Sequence, residues 1–372
     1  MANQSVTEEQ VLNSLRRITD PDLGRDIVSL GFVKDIKIKG SQVAFTIELT
    51  TPACPVKDQM KAQAEQFAGE TPGVEQVSVN LTAKVPQGRI TPDRQAVQGV
   101  KNIVAVASGK GGVGKSTVAV NLALALSQFG AAVGLMDSDI YGPSIPLMMN
   151  VSGQPRVGQG NLILPMQNYG VKLMSMGFLI GDRDDTPIIW RGPMVIQAVT
   201  QFIQNVDWGE LDYLVVDMPP GTGDAHLTLT QKVPLTGAII VTTPQEIALL
   251  DAKKGLQMFN KVETPILGII ENMSYFLCPH CGERSEVFDY GGGQRMASRY
   301  DVSFLGEIPL DVRVRELGDD GRPIVYAEPD SPVAEAFRKV ATAAAARISI
   351  INIGRGTADK PESQAFIPIK VG

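Results

Sequence analysis

The chain has 372 residues, 44% hydrophobic and 20% charged, a composition typical of a globular protein long enough for two domains. Its net charge of −6 argues against broad nucleic-acid binding, which normally requires a basic face. Met1 to Arg17 lacks the apolar core of a signal peptide, and no window approaches the roughly 18 apolar residues of a membrane span, so we expect a cytoplasmic protein that binds neither nucleic acid nor membrane.

Residues 1–88 have the pattern of a small α+β domain. Thr7, followed three residues later by Gln10, predicts a capped first helix. Residues 32–38 and 43–49 alternate apolar and polar side chains on either side of a short polar turn, which predicts a β-hairpin. A second helix over 56–67 and a third strand over 74–81 complete the domain. Residues 89–99 are polar and without period, so they are predicted to form a linker.

Beyond the linker, apolar strands alternate with helical stretches through residues 100–350. This alternation predicts an α/β domain with a mainly parallel sheet covered by helices on both faces. The predicted strands cover residues 103–107, 132–136, 211–216, 238–241, 266–270 and 303–305. The last strong helix is predicted over Pro332 to Ile348, and residues 351–372 are predicted to be a flexible tail.

A glycine-rich phosphate-binding loop lies between the strand at 103–107 and a helix over 117–129. Its glycines allow backbone N–H groups to converge on phosphate oxygens at a helix N-terminus. The loop, with Thr117 behind it, is Gly109-Lys110-Gly111-Gly112-Val113-Gly114-Lys115-Ser116. Lys115 is predicted to reach the β and γ phosphates, and the Ser116 hydroxyl is predicted to bind Mg²⁺. The chain is therefore predicted to be a P-loop nucleotide-binding protein.

Acidic and amide side chains end three of the predicted strands, where α/β sheets bind their ligands. Asp137 and Asp139 end the second strand. We expect one to position an attacking water and the other to support Mg²⁺. The alternative is a helix cap or a solvated loop. Asp217 ends the third strand as a candidate Mg²⁺ contact, and the Pro/Gly loop over 218–224 is a candidate γ-phosphate sensor. Asn272 follows another strand and is a candidate reader of the adenine edge.

Two cysteines form a CxxC motif, Cys278-Pro279-His280-Cys281, in a chain whose odd total of three cysteines favours reduced thiols. They supply only two of the four ligands that zinc or an iron–sulfur cluster normally takes. No second CxxC exists, so a symmetric dimer would supply the missing pair around its axis. A redox dithiol and a structural Cys₄ zinc are the alternatives.

The doubled-lysine loop, residues 137–144 and residues 217–224 resemble the deviant-Walker-A ATPases, which include MinD, ParA and the nitrogenase iron protein. The resemblance implies that the nucleotide is ATP, and that Lys110 contacts the nucleotide of the opposite protomer in a sandwich dimer. It also implies that Asp139 orients the hydrolytic water. The catalytic residues would then be Lys110, Lys115, Asp139 and Asp217.

Together with the CxxC, these motifs are similar to those of the Mrp/ApbC iron–sulfur cluster carriers, over roughly residues 100–350. That resemblance implies a [4Fe–4S] cluster held by Cys278 and Cys281 of both protomers of a homodimer. The cluster would be received from assembly scaffolds and passed to apo iron–sulfur proteins in an ATP-linked cycle. An ATP-switched scaffold with a zinc staple, and a positioning ATPase like MinD or ParA, remain as alternatives.

The N-terminal domain resembles the small PaaD/SufT-like domain of iron–sulfur assembly through residues 20–22, 26–31 and 49–55. Cys54 precedes the helix predicted from Val56, and a helix N-terminus lowers a thiol pKa. Cys54 is therefore a candidate reactive or transiently metal-binding thiol. The alternative is an inert cysteine that is partly buried.

Overall fold

The computed structural model describes residues 6–88, 96–139, 142–180, 192–221, 230 and 233–354. Parts of the predicted linker, of both Asp-containing loops and of the tail lie outside these ranges: 89–95, 140–141, 222–224 and 355–372. Within the described ranges, no helix combines the length and apolarity needed to span a membrane.

The N-terminal unit is a three-stranded sheet with two helices and a hydrophobic core of its own. The predicted hairpin is confirmed, because β1 and β2 pair antiparallel while β3 joins β2 in parallel. The capping box is also confirmed: the Thr7 hydroxyl accepts from the Gln10 backbone N–H, and the Gln10 side chain accepts from the Thr7 N–H. The elements are α1 (Glu8–Leu15), β1 (Val33–Lys39), β2 (Gln42–Leu49), α2 (Lys57–Gly69) and β3 (Gln76–Ala83).

The second unit is built on a nine-stranded sheet. Its strands are β4 (Val100–Ser108), β5 (Val133–Asp137), β6 (Met166–Asn168), β7 (Val171–Ser175), β8 (Leu211–Asp217), β9 (Gly237–Thr242), β10 (Ile266–Leu277), β11 (Arg284–Ser285) and β12 (Phe304–Leu310). Their order is β11-β10-β9-β4-β8-β5-β7-β6, with β12 beside β10. The predicted mainly parallel sheet is confirmed, since among the described strands only the β6–β7 and β10–β11 pairs are antiparallel.

Helices flank this sheet. Every residue of β5 and β9 is buried, and successive strand residues point to opposite faces, so both faces of these strands are covered. The helices are α3 (Lys115–Gln128), α4 (Ile145–Met148), α5 (Gly177–Ile180), α6 (Gly192–Gln204), α7 (Glu246–Lys261), α8 (Gly292–Arg299), α9 (Val312–Asp319), α10 (Ile324–Ala327) and α11 (Pro332–Gly354).

Helix α11 continues four residues into the segment that the sequence predicts to be a flexible tail. Ser349 is buried one turn earlier, and the Asn352 amide donates to the Asn102 side-chain oxygen at 2.9 Å. The predicted flexible tail is therefore wrong for residues 351–354. The helix continues there because the polar Asn352 has a hydrogen-bond partner, Asn102, on β4.

The N-terminal unit contacts the sheet through the loop that precedes α2. Ala53 is buried in the core of the second unit, and the Tyr213 hydroxyl of β8 donates to the Thr51 hydroxyl at 3.4 Å. Burial raises the pKa of Tyr213 to about 12, so the phenol stays protonated and remains a donor. Tyr213 lies near the amino end of β8, whereas Asp217 ends it, so this contact is at the sheet edge opposite the phosphate loop.

Candidate functional site

The phosphate loop lies at the carboxyl edge of the sheet, between the end of β4 and the start of α3. Gly112 and Gly114 have φ values of 81° and 77°, the left-handed region that glycine tolerates best. A Cβ at Gly112 would enter open space. Gly114 is the N-cap residue of α3, and no side chain caps the start of this helix. The first backbone N–H groups of α3 therefore face an open cradle of the kind that binds phosphate.

Two other features of the loop require glycine for close packing. A Cβ on Gly109 would lie 2.1 Å from the carbonyl carbon of Asp251 in α7. A Cβ on Gly114 would lie 2.3 Å from the side-chain nitrogen of Asn272, which follows Glu271 on β10. The loop is therefore fixed between α7 and β10 by contacts that no larger residue permits.

Three of the predicted site residues meet below the loop. Lys115 is only 6% exposed, and its Nζ lies 2.5 Å from Oδ1 of the fully buried Asp217. The Ser116 hydroxyl donates to Oδ2 of the same carboxylate at 2.6 Å. Burial raises the pKa of Asp217, and the positive charge of Lys115 opposes that shift. In P-loop enzymes, a hydroxyl of the loop and a strand-end carboxylate together hold Mg²⁺. Ser116 and Asp217 form such a pair, so these residues fit a nucleotide bound with Mg²⁺.

Asp137 lies next to this pair, since β5 and β8 align Asp137 with Asp217. It is 1% exposed, and its carboxylate accepts from the Ser175 hydroxyl at 2.9 Å and from the Asp139 backbone N–H at 3.0 Å. Burial, followed by repulsion from Asp217, raises the pKa of Asp137 to about 7. Asp139 is only half-buried. The two aspartates therefore have different environments, one beside the candidate Mg²⁺ ligands and one closer to solvent.

Asn272 contacts the phosphate loop directly. Its side chain is buried, and its Nδ2 donates to the backbone oxygen of Val113 at 2.9 Å. The Nδ2 group of Asn272 therefore binds the loop. Recognition of adenine by the other hydrogen-bonding positions of this amide stays a prediction. Lys110 and Thr117 are half-buried, and the Thr117 hydroxyl faces the Met148 sulfur at 4.0 Å.

The CxxC motif forms the tip of the β10–β11 hairpin, on the same sheet edge as the phosphate loop. The Cys278 N–H donates to the Glu283 oxygen at 2.9 Å, and the Gly282 N–H donates to the Cys278 oxygen at 2.8 Å. Backbone N–H groups of Cys281 and then His280, with the Cys281 thiol, lower the pKa of Cys278. Because Cys281 is exposed and Cys278 half-buried, this tip presents an accessible pair of sulfurs.

Within the described ranges, no third protein ligand accompanies the two sulfurs. Among the described residues, no group of three or more His, Cys, Asp or Glu side chains is arranged to hold a metal ion. His280 is exposed. Within the described ranges, one chain thus offers two thiols at this tip, and their role as ligands stays a prediction.

Sequence reasoning missed an arginine that braces the hairpin. The Arg284 guanidinium lies 3.9 Å from the ring centre of Tyr275 and 4.3 Å from that of Tyr290, and it pairs with Glu307 at 3.3 Å. No spacing in the sequence links these residues, because they meet only when β10 pairs with β11 and β12.

Cys54 is the least accessible of the three thiols. It is 7% exposed, and burial raises its pKa more than the Val56 backbone N–H lowers it. The lowering predicted from the helix N-terminus is therefore wrong in its net sign, because Cys54 is buried in the hydrophobic core of the N-terminal unit. This burial favours the alternative, an inert cysteine, whose low reactivity stays a prediction.

The different thiol environments lead to a kinetic prediction. At pH 8, we expect iodoacetamide to modify Cys278 and Cys281 at least about tenfold faster than Cys54, since the thiolate is the nucleophile. Peptide mass spectrometry over a time course measures each rate separately. Rates that converge in urea would serve as the control, whereas equal rates in the folded protein would contradict the assignment.

Two family models match the chain. The model described as NUBPL iron-transfer P-loop NTPase matches residues 99–345, and the model for iron-sulfur cluster assembly proteins matches residues 8–80. The two matches correspond to the nine-stranded and the three-stranded units.

Individual proteins agree with these models. An iron-sulfur cluster carrier protein of Synechocystis sp. is 50% identical over 350 residues, which is 93% of this chain and 99% of that protein. The Mus musculus iron-sulfur cluster transfer protein NUBPL is 49% identical over 69% of this chain and 81% of its own length. A solved nucleotide-binding protein of Archaeoglobus fulgidus in complex with ADP is 39% identical, with a TM-score of 0.57, covering 65% of this chain and 93% of that chain.

Proposed function

The chain belongs to the family of NUBPL iron-transfer P-loop NTPases, and on that premise we propose that it is an ATP-hydrolysing iron–sulfur cluster carrier. One observation carries this proposal: the phosphate loop and an accessible pair of thiols lie on one edge of one sheet. The loop would bind the nucleotide, and the neighbouring thiols of the same domain would bind the cluster.

The nucleotide would be held by residues whose positions fit it. Backbone N–H groups from Gly109 to Thr117 and the Lys115 ammonium would bind the phosphates of ATP. Ser116 and Asp217, with Asp137 beside them, would hold Mg²⁺, which supplies charge neutralisation at the phosphates when bound. Because Lys115 and Ser116 both contact Asp217, nucleotide binding must share or replace these two contacts.

The hydrolytic residues follow from the same arrangement. The half-buried Asp139 would orient the water near the open edge, whereas the buried Asp137 would not. Lys110, which makes no ion pair among the described residues, would reach the nucleotide of a second protomer. We expect slow turnover, as in a nucleotide switch.

The cargo would be a [4Fe–4S] cluster bridged between two protomers. Cys278 and Cys281 supply two thiolates, so a homodimer supplies the four ligands that such a cluster takes. The carrier would receive this cluster from assembly scaffold proteins and deliver it to apo iron–sulfur proteins. All three cysteines are free thiols, which fits a reducing compartment such as the cytoplasm.

Metal and acid-labile sulfide analysis tests this function. Protein purified without oxygen is expected to carry about four iron and four sulfide per dimer, and Cys278→Ala/Cys281→Ala is expected to lose both while keeping ATP binding. Cys54→Ala, the matched control, is expected to keep its iron, because Cys54 is buried. Zinc without sulfide would instead make the thiols a structural staple of an ATP-switched scaffold.

A further inference from the structure

Strand β10 joins the two halves of the site. Asn272 on this strand donates to the phosphate loop, and the same strand runs on through Leu277 directly into Cys278. A displacement of the loop at Val113 therefore acts on the strand that carries the first thiol.

The backbone ladder does not fix the strand between these two points. Its pairing with β9 ends at Glu271, which is aligned with Thr242. Its pairing with β12 is irregular between Asn272 and Phe276, and Met273 has a φ of 53°. The β12 ladder resumes only at Phe276, opposite Leu310, so side chains act beside ladder hydrogen bonds in setting the orientation of the hairpin relative to the sheet.

Glu271 is the side chain placed to do this. It is 0% exposed, and its Oε1 accepts from the Ser274 hydroxyl at 2.6 Å and the Gly291 N–H at 3.0 Å. Its Oε2 accepts from the Gly293 N–H at 2.5 Å. One buried carboxylate thus ties together the strand that enters the hairpin and the segment that leaves it. A buried carboxylate is costly unless its oxygens are satisfied, so the three donors are held firmly around it.

The network reaches the base of the CxxC turn. The Ser274 hydroxyl lies 3.4 Å from Oε2 of Glu307, and the other oxygen of Glu307 pairs with Arg284. Arg284 is the register partner of Leu277, the residue before Cys278. The contacts are therefore continuous from the neighbour of Asn272 to the neighbour of the first thiol.

We propose that Glu271 is a positioning residue that couples the nucleotide state of the phosphate loop to the geometry of Cys278 and Cys281. The proposal rests on the proposed function, since it supplies the link that an ATP-dependent carrier needs between its two sites. Glu271 touches neither the nucleotide loop nor the thiols, and it acts by holding β10, the hairpin and α8 as one body.

The test compares the alkylation rates of Cys278 and Cys281 with and without a saturating non-hydrolysable ATP analogue and Mg²⁺. In the native sequence we expect the analogue to change these rates at least about fivefold, the lower end of ordinary site–site coupling. In Glu271→Gln, whose amide cannot accept from both N–H groups in the same way, we expect a ratio within about twofold of one. Analogue affinity, measured by titration, should change by less than about threefold.

Two further variants make the result decisive. Glu286→Gln makes the same chemical change directly after β11, on an exposed residue whose side chain makes no hydrogen bond or ion pair within the described ranges, and it should keep the full ratio. Ser274→Ala removes the hydroxyl that donates to Glu271 and lies near Glu307, but it leaves both backbone N–H donors to Glu271 in place. It should therefore fold if Glu271→Gln does not, and it should give an intermediate ratio. A full ratio in Glu271→Gln or Ser274→Ala, or a ratio of one in the native sequence, would overturn the proposal.

The assay contains no iron, so the two proposals can fail separately. Protein that never binds a cluster but shows nucleotide-dependent alkylation, lost in Glu271→Gln, would contradict the carrier function and support the role of Glu271. Protein that binds a cluster but gives a nucleotide-independent alkylation rate would do the reverse.

Discussion

Lys115→Ala is expected to abolish ATP hydrolysis and to lower the free energy of unfolding by about 3 to 5 kcal/mol. The substitution leaves the fully buried Asp217 with the Ser116 hydroxyl and without the ammonium that lies 2.5 Å away. A buried carboxylate without its counter-charge is strongly destabilising, because burial removes its hydration and no positive charge replaces it. Urea denaturation at pH 8 measures the stability, and phosphate release measures the hydrolysis.

Two variants separate the charge effect from the loss of function. Lys110→Ala removes the neighbouring lysine, whose side chain makes no ion pair in the described part of the chain, so stability should change by no more than about 0.5 kcal/mol. Lys115→Ala/Asp217→Asn removes both charges and should regain much of the lost stability, but no hydrolysis. A Lys115→Ala protein as stable as the native one would show that the buried pair contributes nothing.

The sequence predicts this half of the site well because its signals are local. The loop residues are contiguous, and Asp137 and Asp217 end strands that parallel pairing must bring side by side. The pKa of Asp137 could not be predicted in the same way. It depends on the Ser175 hydroxyl and on burial, and Ser175 ends β7, a strand that the sequence analysis did not identify.

The other half shows why strand ends are harder to predict. The apolar run of β10 stops at Ile270, and Glu271, Asn272 and Ser274 read as the start of a loop. The strand nevertheless continues to Leu277, because each of these polar side chains finds a buried partner. Ser274 bonds to Glu271, but the other partners of Glu271 and Asn272 lie at the start of α8 and on the phosphate loop, distant in the sequence. No local pattern reveals those partners. The pKa of Cys54 likewise depends on tertiary packing, since burial in the core of the N-terminal unit raises it.

Asp137→Asn is expected to stabilise the protein, free of nucleotide and metal, by about 2 to 3 kcal/mol more at pH 8 than at pH 5. The pKa of Asp137 is raised from 3.8 to about 7 in the folded state. Between these two values the folded protein binds a proton that the unfolded chain has released, so stability falls as the pH rises, and the full cost is present above pH 7. Urea denaturation at both pH values measures the difference, and Asp330→Asn, on an exposed side chain, should show none.

The loss of stability caused by the ionised Asp137 is explained if this site binds a cation. Mg²⁺ favours the ionised carboxylate, so binding of the metal and nucleotide near pH 7 should release a proton from Asp137. Asp137→Asn should therefore gain stability and lose affinity for Mg²⁺ together, because the neutral amide removes the repulsion from Asp217 and also a ligand charge. A variant that gains stability at pH 8 while binding Mg²⁺ and ATP as tightly as the native protein would separate Asp137 from the metal site. The hydroxyl of Ser116 and the carboxylate of Asp217 would then hold the metal without it.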